Sequence, residues 1–267
     1  MAIGNDVYAD TRLIIAELER RFPSGRLGSS DPAQTGIEHL LRRYITDAGI
    51  FMRAAALIPP DMPLLKDPKF QADREQMTGR KWSSESQAKG RPEALVHIRE
   101  LFDILEETFL ADGRKFLLGG DEPMLADVET SFVITWLMSM KVALPNELFS
   151  KERYPKVLAW VDRFNKQVKS RSQKPVTLKG DQAKDFIVGG EKAPQNVDET
   201  DPTGLKNGDM VTVYPLDSGS RNRDTGKIVT LTAQEVAIEV EKDGKTVVLH
   251  TPRWGFRIER ATQNPKL

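Results

Sequence analysis

The stretch from Phe116 to Leu137 constrains the fold of this chain most, because a turn changes there directly into an apolar helix. Gly119, Gly120 and Pro123 supply the turn residues. The residues that follow at helical spacing form one wide stripe, made of Leu125, Val128, Phe132, Val133, Thr135, Trp136 and Leu137. A helix that is apolar over so much of its circumference is buried, so we expect it at the centre of a helical bundle.

Asp127 lies in the first turn of this predicted helix. A carboxylate there can accept hydrogen bonds from free backbone N–H groups and favourably meets the positive end of the helix dipole. The position that would supply a capping hydroxyl, three residues earlier, is Met124. We therefore interpret Asp127 as a residue that stabilises the fold and takes no part in chemistry.

Charge and composition exclude several classes of function. Lysine plus arginine and aspartate plus glutamate each number 39, and this zero net charge argues against nucleic acid or an anionic membrane as the partner. The chain has no cysteine, and its three histidines, His39, His97 and His250, lack metal-ligand spacing. No apolar run has transmembrane length and no secretory signal precedes the chain, so we expect a soluble cytoplasmic protein without a metal.

The N-terminal segment predicts a short extended piece followed by a helix. Asp10 and Thr11 lie at the helix start, and Pro23 and Gly25 end it. A helix N-terminus offers N–H groups and positive potential to a carboxylate ligand, while Asp10 can take an ammonium group. The alternative is that either residue is simply an N-cap.

Three further helices are predicted from apolar spacing. The first is long, about 34–58, and ends at Pro59 and Pro60; residues 59–90 are then expected to be irregular. A second helix is expected from about Pro92 to Leu110. The third follows Tyr154 and Pro155.

The character of the chain changes after residue 170. Residues 171–204 are polar and predict a linker, in which only 183–188 is expected to be regular. Five β-rich runs follow, and Asp243-Gly244 is a strong hairpin signal, so we predict a small SH3-like barrel over 205–262. The segment His250–Phe256 is either an aromatic and basic patch or a turn with a buried Trp or Phe, and we favour the turn.

These landmarks together resemble cytosolic glutathione transferases from about Val7 to Val168. The turn Phe116–Asp127 is similar to the family's opening of the central helix, Tyr154–Trp160 to its closing helix, and Val7–Pro23 to the end of its thioredoxin-like domain. The resemblance implies a mainly α-helical bundle, and the small all-β barrel predicted from the strand pattern follows it. This order of domains resembles that of fungal-type proteins with an appended β module. The expected domains are a thioredoxin-like remnant (1–30), a transferase C-terminal-like helical domain (31–170), the linker (171–204) and the barrel (205–262).

The resemblance also implies a site. In this family an acidic or amide residue followed by Ser or Thr binds the γ-glutamyl end of glutathione, and Asp10 and Thr11 match that pair. The long helix lines a pocket for a hydrophobic electrophile, which assigns to the pocket Tyr44, Phe51, Met52 and Arg53. Plain core packing is the alternative for these four residues. Glutathione would be the co-substrate, and a homodimer is a further expectation.

Two functions remain open from the sequence. The first is a glutathione transferase-like enzyme that conjugates or isomerises a hydrophobic electrophile. In the family, the residue that activates the thiol lies in a segment before the part matched here, so we assign no catalytic residue and expect no conjugation at an enzymatic rate by the chain as given. The second is a non-catalytic binding or scaffold protein that uses the bundle and the β module for contacts with a protein partner.

Overall fold

The structure is a computed structural model that describes residues 1–261. Its α-helices are α1 (Thr11–Arg21), α2 (Pro32–Thr46), α3 (Ile50–Ala55), α4 (Pro68–Thr78), α5 (Ser84–Ile104), α6 (Leu125–Ser139), α7 (Pro155–Arg171) and α8 (Gly180–Val188). Its strands are β1 (Ala2–Ile3), β2 (Asp6–Tyr8), β3 (Met210–Pro215), β4 (Asp224–Leu231), β5 (Glu235–Lys242), β6 (Lys245–Pro252) and β7 (Phe256–Arg260). Residue 262, the last of the expected barrel, lies outside the described residues.

The chain divides into two compact units. One contains residues 1–24, 76–79 and those from 175 onward, and the other contains 25–75 and 80–174. The N-terminal segment and the C-terminal strands, which the sequence analysis treats as separate domains, thus belong to the same unit. The helical domain expected over 31–170 falls almost wholly in the other.

The first unit is built on a seven-stranded sheet with the order β1-β2-β6-β5-β4-β3-β7. Strands β3 to β6 form an antiparallel meander, and β7 returns to pair with β3. Asp243 and Gly244, with φ of 53° and 69°, make the predicted hairpin between β5 and β6. The five predicted β-rich runs correspond to the strands β3 to β7.

The predicted SH3-like barrel is wrong, because the sheet does not close. The outer edge of β6 pairs in parallel with β2, with Tyr8 opposite His250, and β1 then adds to β2. The sheet therefore continues into the N-terminal hairpin and has β1 and β7 as its edges. The sheet stays open because β6 pairs with residues more than 240 positions away in the sequence. The alternation of apolar and polar residues within a strand cannot reveal such a pairing.

The segment expected as a linker contributes to this unit. Residues 172–179 have no regular structure, but α8 follows and contacts β6, and Val197 bridges to Leu231. The backbone at Gly190 lies against the N-terminal hairpin, since a Cβ there would come within 2.4 Å of the carbonyl carbon of Gly4. Glycine is required at this close approach.

The second unit is a helical bundle around α6. Its largest fully buried side chains include Trp160, Tyr154, Phe102 and Phe116. The central position of α6 is confirmed, because Ala126, Val133, Ile134 and Leu137 are all inaccessible. The predicted stripe is partly wrong: Phe132 is 42% exposed, while the polar Glu129, Thr130 and Ser131 are buried.

Asp127 has the structural role that the sequence predicts, with more partners than a cap requires. Its Oδ2 accepts from the backbone N–H of Met124 at 2.8 Å. Its Oδ1 accepts from the backbone N–H of Leu117 at 2.9 Å and from the indole N–H of Trp160 at 2.7 Å. The carboxylate is completely buried and therefore joins the turn, α6 and α7.

Three helix boundaries differ from their predictions. The helix expected over 34–58 is broken between α2 and α3, where Gly49 has φ of 90°. The helix expected from Pro92 begins at Ser84, capped by Ser83, and carries Pro92 inside it; its last turn, Leu105–Phe109, is a π-helix. The stretch expected to be irregular contains α4.

Along residues 1–261, no helix combines the length and the apolar character needed to cross a lipid bilayer.

Candidate functional site

Asp10 and Thr11 lie at the N-terminus of α1, as predicted. Asp10 is the N-cap, and its Oδ1 accepts from the backbone N–H of Arg12 at 2.8 Å. Both residues are exposed. The backbone of Asp10 has φ of 68° and ψ of 135°, a conformation that a residue with a Cβ adopts only under strain.

The turn at Asp10 is held by the strand beside it. The backbone N–H of Ala9 donates to the carbonyl oxygen of His250 at 2.8 Å, directly after the parallel pairing of Tyr8 with His250. The position of Asp10 therefore depends on the contact between β2 and β6.

A buried polar cluster lies at that contact. His250 Nε2 is 2.7 Å from Asp6 Oδ1, and His250 Nδ1 is 3.7 Å from Glu235 Oε1. The imidazole stacks on the Tyr8 ring with centroids 4.4 Å apart. Burial lowers the pKa of His250, but the carboxylates of Glu235 and Asp6 raise it more, so the pKa is above its usual value. Sequence reasoning missed this cluster, because nothing in the local pattern connects Asp6 with His250.

A second ionic group on α1 involves Tyr8. Arg20 and Arg21 both donate to the carboxylate of Glu17, which also accepts from the Tyr8 hydroxyl at 3.2 Å. Burial alone would raise the pKa of Glu17, but the two arginines lower it to about 2. Burial raises the pKa of Tyr8 to about 12. A hydroxyl held in this way is poorly suited to stabilising a thiolate.

The four residues predicted to line a pocket lie in the helical unit, whereas Asp10 and Thr11 lie in the sheet unit. Tyr44 packs against the helical core, and Arg53 Nη1 pairs with Glu93 Oε1 at 3.1 Å. Phe51 and Met52 are 39% and 37% exposed. Phe51 and Met52 are thus at the surface, and the lining of a pocket by these four residues stays a prediction.

Phe51 belongs to an aromatic cluster that the sequence did not predict. Its ring centroid lies 5.8 Å from that of Trp136 and 6.1 Å from that of Phe132. We call Phe51, Met52, Phe132 and Trp136 the aromatic face. Phe132 and Trp136 both lie on the stripe that was predicted to be buried. Phe132 is 42% exposed, contrary to that prediction, whereas Trp136 is half-buried and packs against the core of the bundle.

The segment His250–Phe256 has features of both predicted alternatives, a turn with a buried aromatic residue and an aromatic and basic patch. Phe256 packs against the core of the sheet, as expected for a turn. Trp254 is 54% exposed and lies beneath the Arg12 guanidinium, 6.0 Å from its ring centroid, so the prediction of a buried aromatic fails for Trp254. Arg253 pairs with the buried Asp201 at 2.6 Å.

Among residues 1–261, no group of three or more histidine, aspartate and glutamate side chains is placed to hold a metal ion.

Comparison with known proteins supports the class of fold. The family model of a domain of unknown function, DUF7962, matches residues 53–173. A search of curated proteins gives no match. Among solved structures, a GST-like protein from Pseudomonas syringae has a TM-score of 0.65 at 23% identity, over 97% of this chain and 80% of that chain. The chain therefore has the fold of a GST-like protein.

Two further solved structures are similar over part of the chain. A Tau class glutathione S-transferase from mango has a TM-score of 0.38 and 17% identity, covering 58% of this chain and 60% of its own. A glutathione S-transferase from Rhodospirillum rubrum has a TM-score of 0.36 and 16% identity, covering 66% and 71%. The expectation of a fungal-type protein with an appended β module stays a prediction.

Proposed function

We propose that the protein is a glutathione S-transferase-like protein whose Asp10–Thr11 turn binds the γ-glutamyl end of glutathione. The observation that carries the proposal is the strained, exposed N-cap at Asp10. A backbone in this region costs roughly 1–3 kcal/mol and is found preferentially at functional sites. Fold similarity to a GST-like protein adds to it.

Capping alone does not explain the conformation of Asp10. Asp31 caps α2 with φ of −78°, and Ser83 caps α5 with φ of −116°, both in ordinary extended backbone. An unstrained aspartate can therefore cap a helix in this same chain. The strain at Asp10 places its carboxylate at the surface for a further purpose, which we propose is ligand binding.

The chemistry of the γ-glutamyl end fits these groups. Its ammonium would pair with the Asp10 carboxylate, and its carboxylate would accept from the Thr11 hydroxyl and from N–H groups at the start of α1. For the hydrophobic electrophile, we propose the aromatic face of the helical unit, of which Phe51 and Met52 are part. Tyr44 and Arg53 stay part of the proposed pocket; Tyr44 packs against the helical core, and Arg53 pairs with Glu93.

The alternative is a non-catalytic binding or scaffold protein with a protein partner. The state of Tyr8 favours it, because the hydroxyl two residues before Asp10 is engaged with Glu17 and Arg21. Cytoplasmic location and a homodimer are parts of either proposal.

The test compares Asp10→Asn with Asp31→Asn by calorimetric titration with glutathione. Asparagine caps a helix and tolerates positive φ, so each variant keeps its fold and loses one charge. We expect Asp10→Asn to weaken binding about tenfold, as the loss of one charge-assisted hydrogen bond requires, and Asp31→Asn to leave it unchanged. Glutathione acetylated at its α-amino group should bind the unmodified protein as weakly as glutathione binds Asp10→Asn. Equal affinities of both variants would refute the assignment.

Once glutathione binding is established, a conjugation assay distinguishes the enzyme from the non-catalytic binding protein. Glutathione and an activated aryl halide are incubated with the protein and with Asp10→Asn. Saturable conjugation that is reduced in Asp10→Asn supports the enzyme, and binding without conjugation supports the non-catalytic alternative.

A further inference from the structure

Both ring nitrogens of His250 face carboxylates, and the side chain is only 5% exposed. Nε2 lies 2.7 Å from Asp6 on β2, and Nδ1 lies 3.7 Å from Glu235 on β5. The side chain of Asp6 is itself 2% exposed. His250 thus connects the N-terminal strand with two strands of the C-terminal meander.

The number of protons on the His250 ring determines whether both ring nitrogens interact favourably with their carboxylates. An imidazolium carries an N–H on each nitrogen and can face both carboxylates favourably. A neutral imidazole has one N–H and one lone pair. In either tautomer, a lone pair would then face a buried or half-buried carboxylate, which is repulsive in a low-dielectric environment.

The remaining charged groups around the ring do not replace its proton. Tyr8 stacks on the ring from β2, and its hydroxyl is bonded to Glu17. On α1, Glu17 is neutralised by Arg20 and Arg21. The charge on His250 is therefore set by Asp6 and Glu235 alone among these partners.

The same contacts determine the path of the chain toward Asp10. Asp6 Oδ2 also accepts from the backbone N–H of Ala193 at 2.7 Å, so its carboxylate joins three segments. The His250 carbonyl oxygen accepts from Ala9, the residue before the strained turn. A shift of His250 or β2 moves this hydrogen bond.

We propose that His250 is a proton-dependent positioning residue: as an imidazolium between Asp6 and Glu235, it clamps β2 to the meander and thereby fixes the Ala9–Asp10 turn. The clamp itself is independent of glutathione binding, and only its consequence for a ligand at Asp10 rests on the proposed function.

The expected direction of the pH dependence follows from the raised pKa of His250. A histidine whose pKa is higher in the folded than in the unfolded state contributes stability that is complete below the unfolded value, about 6.5. That contribution is lost as the pH rises through the folded pKa. The clamp is therefore closed in mildly acidic solution and weakens on the alkaline side.

The test is an NMR titration of the histidine ring signals. We expect His250 to titrate above the value of about 6.5 that an unperturbed histidine has. Amide exchange at Ala9 should accelerate through the same pH range, beyond the intrinsic rise of exchange with pH.

Glu235→Gln and Glu239→Gln form a matched pair on β5. Glu235 faces His250, whereas Glu239 pairs with Lys192. We expect Glu235→Gln to lower the His250 titration midpoint by about one pH unit and to move the Ala9 transition with it, while Glu239→Gln changes neither. The proposal is overturned if His250 titrates at or below about 6.5, if Ala9 exchange follows only the intrinsic rate, or if the two variants behave alike. None of these readouts requires glutathione, so their failure is distinct from a failure of Asp10 to bind it.

Discussion

At the scale of single residues, buried carboxylates with several donors connect elements in both units. Asp127 accepts from Leu117, Met124 and Trp160. Glu106 similarly accepts from the backbone N–H groups of Lys156 and Val157 and so caps α7. Such groups stabilise a fold by satisfying donors that would otherwise be buried without a partner.

Asp127→Ala should destabilise the protein by about 3 kcal/mol, because it removes the acceptor of three N–H groups. This is more than the roughly 1 kcal/mol that loss of a simple cap produces. Urea unfolding measures the difference. Asp121→Ala is the control, since Asp121 is exposed and pairs with Lys115 at the surface, and its effect should be much smaller than that of Asp127→Ala. Similar losses for both variants would contradict the role given to Asp127.

At the scale of elements, the break between α2 and α3 shows how one residue overrides a continuous apolar pattern. Helical spacing persists from Ile37 through Ile58, yet α2 ends at Thr46, and Gly49 takes a left-handed conformation as the N-cap of α3. A residue with a Cβ is disfavoured in this left-handed conformation. Inside a helix, by contrast, replacing glycine by a residue with a Cβ stabilises the helix.

Gly49→Ala and Gly36→Ala should therefore change stability in opposite directions. A Cβ meets no atom within 4 Å at either position, so backbone conformation alone differs. We expect Gly49→Ala to destabilise by about 1 kcal/mol and Gly36→Ala, inside α2, to stabilise by about 0.5–1 kcal/mol. Thermal unfolding of the two variants measures both signs, and a stabilising Gly49→Ala would indicate that the helix can run through.

Local signals account for what could be predicted from the sequence. The Asp243-Gly244 turn, the alternation in β3 to β7 and the caps at Asp10 and Asp127 all act over a few residues, and all are present. The sequence predicts that α5 starts at Pro92, because proline is common in the first turn of a helix. The helix instead begins at Ser84 and is capped by Ser83. The pairing of β2 with β6, the Asp6–His250 contact and the exposure of Phe132 depend on distant parts of the chain. No local pattern encodes them.

At the scale of the whole molecule, the sheet unit is assembled from both ends of the described chain. Asn5 contributes to this assembly, since its side-chain amide donates to the carbonyl oxygens of Thr246 and Ile187, and its backbone N–H donates to Glu191. The N-terminal segment and the C-terminal strands are therefore joined by hydrogen bonds within one unit.

Limited trypsin digestion tests whether segments from both ends of the described chain are held together in the sheet unit. Residues 172–179 are exposed and without regular structure, so cleavage is expected at Arg171 or Lys179, whereas Pro175 protects the bond after Lys174. The two fragments should stay together in native gel filtration, because β2 and Asn5 remain bound to the C-terminal strands, and should separate in urea. Separation under native conditions would contradict the pairing of β2 with β6.

The parallel pairing of β2 with β6 also sets an order of events during synthesis. The N-terminal hairpin leaves the ribosome about 240 residues before its partner strand, a delay on the order of 10–50 s at typical elongation rates. The helical unit, whose sequence lies between the two, can fold within that interval from contacts of its own. Throughout it, Tyr8, Leu13 and the carboxylate of Asp6 have no sheet to cover them. Nascent chains stalled before β6 should consequently be recognised by chaperones through Tyr8 and Leu13, although both residues are buried in the finished protein.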